Sequence, residues 1–214
     1  LEAPVRPMER RMRVLGLDPG SRKTGWGVVE LEKRALRFVA AGHVAPGAKL
    51  PLPERLHAIA REIGEVMEHW SPDCVVIEEA FHHSYVRSTL VLGHVRGALM
   101  VAALERGLAV AEYAPRAIKL AVTGHGGAAK EQVCAMVKAQ LGITTALQAD
   151  AADALAGALC HLRRARFDAP RRRTPWRPRE LTRKRRVPEG ASVPMPIPYR
   201  RRPATGAAAI TLSL

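Results

Sequence analysis

The first third of the chain contains short apolar runs of strand length, separated by polar turns. Val14, Leu15 and Leu17 form the first run, and Gly16 within it leaves room for close packing by another element. Residues 24–31 and 35–44 form two further runs, joined by the short polar turn 32–34. Short apolar runs bounded by turn residues are typical of strands. We therefore predict a first strand that continues into a β-hairpin.

Helical spacing appears after a linker at residues 46–53, and from there helices and strands alternate. Apolar residues recur at intervals of three and four over 56–70, and the apolar run 74–77 follows. The same reasoning predicts further elements in the order helix 85–106, strand 108–113, a helical turn 115–122, and helices 128–141 and 148–164. Three antiparallel strands that feed two strand–helix units predict a mixed α/β sheet with helices on its faces. The first and fourth strands should lie side by side and parallel.

Carboxylates follow two of these apolar runs. Asp18 ends the first strand and Glu78 ends the fourth. If these two parallel strands are neighbours, their carboxyl ends bring both acids to one edge of the sheet. Asp150 and Asp153 are three residues apart on the last predicted helix, so they project from one face of it. A helix that crosses this edge would bring four carboxylates together.

Four carboxylates without a histidine or cysteine partner favour a site for hard cations such as Mg²⁺ or Mn²⁺. Without cations, so many like charges would repel one another. Two ions about 3.5–4 Å apart that hold a phosphodiester between them are known chemistry for such a cluster. Each acid also has a simpler interpretation. Asp18 could be a turn former, Glu78 a strand-end acid facing water, Asp150 a helix N-terminal acid and Asp153 a solvated surface acid.

Charge is distributed unevenly over the 214 residues, whose net charge is +14. Residues 12–165 carry a net charge of +3, whereas 166–214 carry +10 and hold 8 of the 16 prolines. We predict one folded domain over 12–165 and a disordered Pro/Arg-rich tail over 166–214. A tail this basic indicates a polyanionic partner, and nucleic acid is the most common one. Residues 1–11 precede Met12 and are predicted to be a disordered extension.

The absence of a membrane-length apolar run or a signal-peptide pattern, together with the spacing of the cysteines, predicts a cytoplasmic protein. No uninterrupted apolar run approaches membrane-spanning length, and the N-terminal residues lack the pattern of a signal peptide. Cys74, Cys134 and Cys160 lie scattered in apolar stretches, without metal-binding spacing. Reduced, buried thiols are the expectation.

Four segments resemble the signature blocks of the RuvC-type Holliday junction resolvases: LGLDPGSRKTGWGVV, CVVIEEAF, RAIKLAVTGHGGAAKEQV and QADAADALAGAL. The likeness spans residues 12–165 in matching order and spacing. Sugar kinases and actin-like ATPases also open with Asp-x-Gly, but they lack the late D-x-x-D helix. The resemblance implies a ribonuclease H-like (retroviral integrase-like) fold with a mixed five-stranded sheet flanked by helices.

The resemblance also implies roles for individual residues. Asp18, Glu78, Asp150 and Asp153 would bind two Mg²⁺ ions per subunit, for which Mn²⁺ may substitute. The family match selects Glu78 rather than Glu79, and strand alternation would point Glu79 to the opposite face. By the resemblance, Phe81 would stack on an unpaired base, and Lys119 and Lys130 would contact DNA phosphates. The simpler interpretations of these three are a packed loop aromatic and solvated helix lysines. Arg22 and Lys23, in the turn beside Asp18, are further candidates for phosphate contacts.

The implied activity is a paired, symmetric nicking of four-way junction DNA during recombination and repair, which leaves 5′-phosphate and 3′-hydroxyl ends. The resemblance further implies a homodimer and a RuvA–RuvB branch-migration complex as partner. Helix 85–106, with Gly93 and Gly97 four residues apart, is our candidate for part of the dimer contact. Packing of this helix on the sheet of its own chain is the alternative. The tail at 166–214 would add non-specific DNA affinity. Two alternatives stay open: a nuclease of the same fold that cuts flaps or forks, and a protein that binds junctions without cutting them. His82, His83 and His125 are predicted to be loop residues rather than metal ligands or bases.

Overall fold

The predicted order of strands and helices is present in the computed structural model, which describes residues 11–79 and 86–167. The predicted N-terminal extension up to residue 10 and the predicted tail beyond residue 167 lie outside the described residues. The same is true of Phe81, His82 and His83. The elements are β1 Met12–Asp18, β2 Thr24–Glu32, β3 Ala35–Val44, α1 Leu52–Trp70, β4 Cys74–Glu78, α2 Val86–Glu105, β5 Ala109–Tyr113, α3 Pro115–Thr123, α4 Lys130–Leu141 and α5 Ala149–Phe167.

Helix α1 begins inside the segment that was predicted to be a linker. Pro53 occupies its first turn, where the missing backbone N–H of a proline costs no helical hydrogen bond. At the other end, Ser71 takes a left-handed conformation with φ of 46° and donates its backbone N–H to the Met67 carbonyl. The predicted helix was therefore four residues too short at its N-terminus, because residues up to Pro53 were assigned to the linker.

The five strands form one sheet in the order β3-β2-β1-β4-β5. Strands β1, β2 and β3 pair antiparallel, whereas β4 pairs parallel with both β1 and β5. The prediction of a mixed sheet with the first and fourth strands adjacent is confirmed. Leu17 pairs with Ile77 across β1 and β4, so the residues that follow these partners, Asp18 and Glu78, lie at the same edge.

Each face of the sheet is covered by its own set of helices. Leu15 and Val75 point to the face covered by α1 and α2, where Ile59, Ile63 and Leu99 complete an apolar core. The neighbouring strand positions, such as Val14 and Val76, point to the opposite face, where Leu155, Leu159 and Leu162 of α5 cover them. Full burial of such a side chain contributes about 1.5–3 kcal/mol. The two cores hold β1 and β4 between them.

Glycines in β1 and β2 allow α5 to lie unusually close to the sheet. A Cβ atom at Gly16 would lie 1.9 Å from the Ala154 carbonyl oxygen, and one at Gly25 would lie 2.2 Å from the Asp150 carbonyl oxygen. Both distances are far shorter than van der Waals contact, so only glycine fits at these positions. The close packing predicted at Gly16 is confirmed, and its partner is the helix that carries Asp150 and Asp153.

Helix α2 is the one described helix that is long and apolar enough to cross a membrane by length and composition. Core helices of soluble proteins meet the same criterion, so it carries no conclusion about a membrane. The cysteine prediction is confirmed for Cys74 and Cys160, which are free and buried. Cys134 is free but only half-buried.

Candidate active site

A cavity of about 330 Å³ opens at the carboxyl edge of β1 and β4. Three of the predicted acids line it: Asp18 from the end of β1, Glu78 from the end of β4, and Asp153 from the first turns of α5. Lys119 of α3 and Lys130 of α4 line it as well. The cavity therefore combines carboxylates from two adjacent parallel strands and from α5 with basic side chains from two further helices.

The carboxylates in the cavity repel one another. Burial, followed by the charges of Asp153, Glu78 and Asp150, raises the pKa of Asp18 to about 7, and the ammonium group of Lys130 opposes this increase. The pKa of Glu78 is also raised, first by burial and then by Asp153. A raised carboxyl pKa means that the ionised form is disfavoured, so this cavity favours the entry of a cation.

Two lysines pair with the acids of α5. Lys130 Nζ lies 3.1 Å from Asp153 Oδ2, and the charge of Asp153 is the main cause of the raised pKa of Lys130. Lys23 Nζ lies 2.6 Å from Asp150 Oδ2. Lys23 had been predicted to face DNA, but in this structure it pairs with an acid. Asp150 does not line the cavity, although its charge contributes to the pKa shift of Asp18.

The chemistry of these donors fits a hard metal ion. All four acids supply carboxylate oxygen, the donor that Mg²⁺ and Mn²⁺ prefer. Among the described residues, no three histidine, cysteine or acidic side chains stand close enough together to hold one ion as they are arranged. Two of the acids are instead paired with ammonium groups. An ion would therefore have to compete with Lys130 for Asp153 and with Lys23 for Asp150.

The remaining predicted DNA-binding residues are found in different surroundings. Lys119 and Lys130 lie at the cavity, whereas Arg22 is exposed on the turn between β1 and β2 and lines a neighbouring cavity. Phe81 lies outside the described residues. His125 is exposed, and its backbone N–H donates to Thr123 Oγ1.

Sequence reasoning missed two residues that line the cavity, Glu79 and Arg96. Glu79 was predicted to point away from Glu78. It directly follows the end of β4, its backbone N–H donates to the Tyr113 carbonyl oxygen at 3.0 Å, and it is among the residues that line the cavity. Arg96 of α2 forms an ion pair with Glu112 of β5. A charged residue in the mostly apolar middle of this helix was the available signal for Arg96.

The sheet order, the helix α5 that begins near its carboxyl edge and the acidic cavity define a class of protein. Three antiparallel strands continued by two parallel ones, with carboxylates on the first and fourth strands, form a ribonuclease H-like fold with an acidic site suited to metal ions.

Comparison with known proteins narrows this class to one family. The family model described as crossover junction endodeoxyribonuclease RuvC matches residues 14–161. RuvC from Rhodopseudomonas palustris is 45% identical over 155 residues, which cover 72% of this chain and 89% of the relative. RuvC from Pseudomonas aeruginosa is 49% identical over 148 residues, which cover 69% of this chain and 84% of the relative.

Solved structures agree with this relationship. A structure of T. thermophilus RuvC in complex with Holliday junction substrate superimposes with a TM-score of 0.69 at 37% identity, over 73% of this chain and 96% of that one. The chain belongs to the RuvC family of crossover junction endodeoxyribonucleases. The ribonuclease H-like fold implied by the signature blocks is confirmed.

Proposed function

We propose that this chain is a Mg²⁺-dependent endonuclease that resolves four-way junction DNA by paired, symmetric nicks in recombination and repair. One observation carries the proposal: Asp18, Glu78 and Asp153 converge on one cavity beside Lys119 and Lys130. The membership of the chain in the RuvC family supports the same conclusion. The intact acidic set favours cleavage over the alternative of a protein that only binds junctions.

Each residue has a definite task in this proposal. Asp18, Glu78 and Asp153, with Asp150 from the same helix face, would hold two Mg²⁺ ions, for which Mn²⁺ can substitute. Bound ions of this kind supply a water nucleophile at neutral pH and stabilise the charge that develops on a phosphodiester. The acids position the ions relative to the DNA strand. Hydrolysis then gives a 5′-phosphate and a 3′-hydroxyl.

Lys119 and Lys130 bring positive charge to the phosphate. Lys130 is bound to Asp153 through a single contact of 3.1 Å, and its side chain is mostly exposed. A cation at Asp153 would release Lys130 for a phosphate oxygen, so the lysine can exchange one anionic partner for another. Phe81 would stack on an unpaired base near the crossover, where such stacking contributes about 1–3 kcal/mol.

The activity is tested by incubating the full chain and Mg²⁺ with end-labelled four-way, flap and duplex DNA. Paired nicks confined to the four-way junction support the proposal. Faster cleavage of flaps or forks would identify the alternative nuclease of the same fold. If the protein binds junctions but cuts none of these substrates, it is a binding protein and not a resolvase.

Gly25→Ala is expected to reduce junction cleavage by about 100-fold, because displacement of a catalytic group by about 1 Å can cost this much. The new methyl group would meet the Asp150 backbone and push the start of α5 away from β1 and β2. Gly47→Ala is the matched control, since its Cβ would make only ordinary contacts at 3.7 Å and beyond. Initial cleavage rates and circular dichroism of both variants check the prediction. Full activity of Gly25→Ala would show that the position of α5 is not critical.

We further propose that the enzyme is a homodimer and that α2 forms part of the contact. Its exposed apolar residues and two exposed glycines fall on one helix face: Val86, Leu90, Gly93, Gly97, Val101 and Leu104. A Cβ at Gly93 or Gly97 would touch nothing within 4 Å among the described residues. An exposed apolar stripe with small residues at its centre fits close approach of the same helix from a second copy.

Leu90→Glu combined with Val101→Glu is expected to produce monomers, because burial of two carboxylates without partners would oppose association. Light scattering across a concentration series measures this change. Met136→Glu on α4 changes a single exposed apolar residue away from the stripe and is the control. The monomer should make single nicks where the parent enzyme makes paired ones. A double variant that stays dimeric would place the contact elsewhere.

Family membership also supports a cytoplasmic location and cooperation with a RuvA–RuvB branch-migration complex. Stimulation of junction cleavage by purified RuvA and RuvB is the measurement that tests this partnership.

A further inference from the structure

A second cavity, of about 400 Å³, lies beside the active-site cavity. Leu92 of α2 lines both cavities, so they share a wall. The basic side chains in the second cavity come from three separate places: Arg22 from the β1–β2 turn, Arg55 from α1 and Arg87 from the first turn of α2. We call these three residues and the space between them the arginine cavity.

The arginine cavity holds positive charge without compensation. None of the described residues that line it is acidic; the other polar ones are Ser21 and Ser88, which carry hydroxyl groups. Within residues 11–79 and 86–167, the ion pairs involve other basic side chains. Three guanidinium groups around one space repel one another. Such an arrangement favours an anion at its centre.

Two local details strengthen this interpretation. Arg87 lies in the first turn of α2, where the helix dipole disfavours a cation and where α2 has no acidic residue. The Arg55 guanidinium makes one long hydrogen bond, 3.4 Å from Nη1 to the Ser21 carbonyl oxygen, and its buried Nε has no described partner. Arg55 therefore retains unused donors.

We propose that the arginine cavity binds a non-scissile backbone phosphate of the junction DNA, next to the phosphate at the active site. Guanidinium groups bind phosphate oxygens through paired N–H donors, and the two serine hydroxyls can donate as well. A contact to a phosphate does not distinguish one base from another, so its role is to position the strand. This inference rests on the proposed function, because it assumes that junction DNA occupies the adjacent active site.

The location of the cavity gives this contact a consequence for cleavage. Ser21 and Arg22 belong to the same turn that follows Asp18. A phosphate held by this turn would be fixed in position relative to the catalytic acids. The arginine cavity would thereby determine which phosphodiester along the strand enters the active site.

The test measures junction binding by the full chain in Ca²⁺, an ion that also binds carboxylate oxygens. Arg87→Ala is expected to raise the Kd for the junction about 5- to 10-fold. It should also reduce the steepness of log K against log salt by about 0.9, because one phosphate contact is lost. Arg87→Lys should recover the salt slope but only part of the affinity, because it keeps the charge and loses the paired donors. Arg37→Ala, which removes an exposed arginine at the other end of the sheet, is the control.

Neutral methylphosphonate groups placed one at a time along the junction strands locate the bound phosphate. One position near the scissile phosphate should weaken binding by the parent protein and have no further effect on Arg87→Ala. If that position lies on the cleaved strand, the cavity binds a phosphate of the cleaved strand. If it lies on the strand that faces the cleaved one, the cavity binds a phosphate of that strand. If every substitution weakens the parent and Arg87→Ala equally, or if Arg87→Ala keeps the parent salt slope, the inference is wrong. Failure of the parent to cut junctions would instead count against the proposed function, because the binding scan needs no cleavage.

Discussion

Asp18→Asn is expected to reduce junction cleavage by at least about 1,000-fold while junction binding stays within about threefold of the parent. Asp18 lies at the centre of the acidic cavity, and its carboxylate interacts with those of Glu78, Asp153 and Asp150. Asparagine has nearly the same shape but lacks the negative charge that binds a metal ion. The substitution leaves Lys119 and Arg22, the proposed phosphate contacts, in place. Single-turnover cleavage rates and Kd values at saturating Mg²⁺ measure the two effects separately.

Asp73→Asn provides the matched control for this substitution. Asp73 precedes β4, at the opposite end of that strand from Glu78, and its Oδ2 accepts the backbone N–H of Arg13 at 2.8 Å. The asparagine oxygen can still accept that hydrogen bond, so folding should be preserved. We expect a parent-like cleavage rate for Asp73→Asn. Equal rates for the Asp18→Asn variant and the parent would rule out Asp18 as a metal ligand.

Local patterns were sufficient to predict the frame of the site. Apolar runs that end on Asp18 and Glu78 predicted two strands with acids at their ends. The order of elements then placed these strands side by side, because helical connections join parallel strands. Helical spacing placed Asp150 and Asp153 on one face. The glycine in β1 even indicated close packing, and the structure shows α5 as the partner.

Local sequence patterns could not predict which side chains pair with one another within the site. Lys23 pairs with Asp150, although 127 positions separate them in the numbering, and no local pattern connects the two. The arginine cavity draws on three separate elements and becomes visible only once α1 and α2 pack against one face of the sheet. Periodicity reports which face of an element is buried. It does not report which distant charges meet at the end of that element.

The raised pKa of Asp18 leads to a second large effect, this time on the stability of the metal-free protein. The pKa is about 7 in the folded state, against 3.8 for an unperturbed side chain. Between these two values the folded state binds more protons than the unfolded state, so the free energy of unfolding falls as pH rises. Above about pH 7 the ionised Asp18 destabilises the fold by its full amount. Below about pH 4 the group is protonated in both states and this penalty is absent.

Asp18→Asn removes this penalty and should therefore stabilise the metal-free protein at alkaline pH. We expect a gain of about 1–3 kcal/mol at pH 8, less than the full pKa shift implies, because Asp18 is partly exposed and solvent screens its charge. The gain should shrink steadily as the pH is lowered toward 5. Urea unfolding in EDTA at several pH values measures it, with Asp73→Asn unfolded alongside as the control substitution.

Addition of Mg²⁺ at pH 8 should reverse the order of stability of the parent and Asp18→Asn. A ligand that binds only the folded state raises the free energy of unfolding in proportion to the logarithm of its concentration over Kd. The parent can use the full acidic set for this binding, whereas Asp18→Asn lacks its central carboxylate. The residue that destabilises the metal-free fold would thus contribute most to the metal-bound one. If Mg²⁺ stabilises both proteins equally, the repulsion around Asp18 is not relieved by a metal ion, and its assignment as a ligand fails.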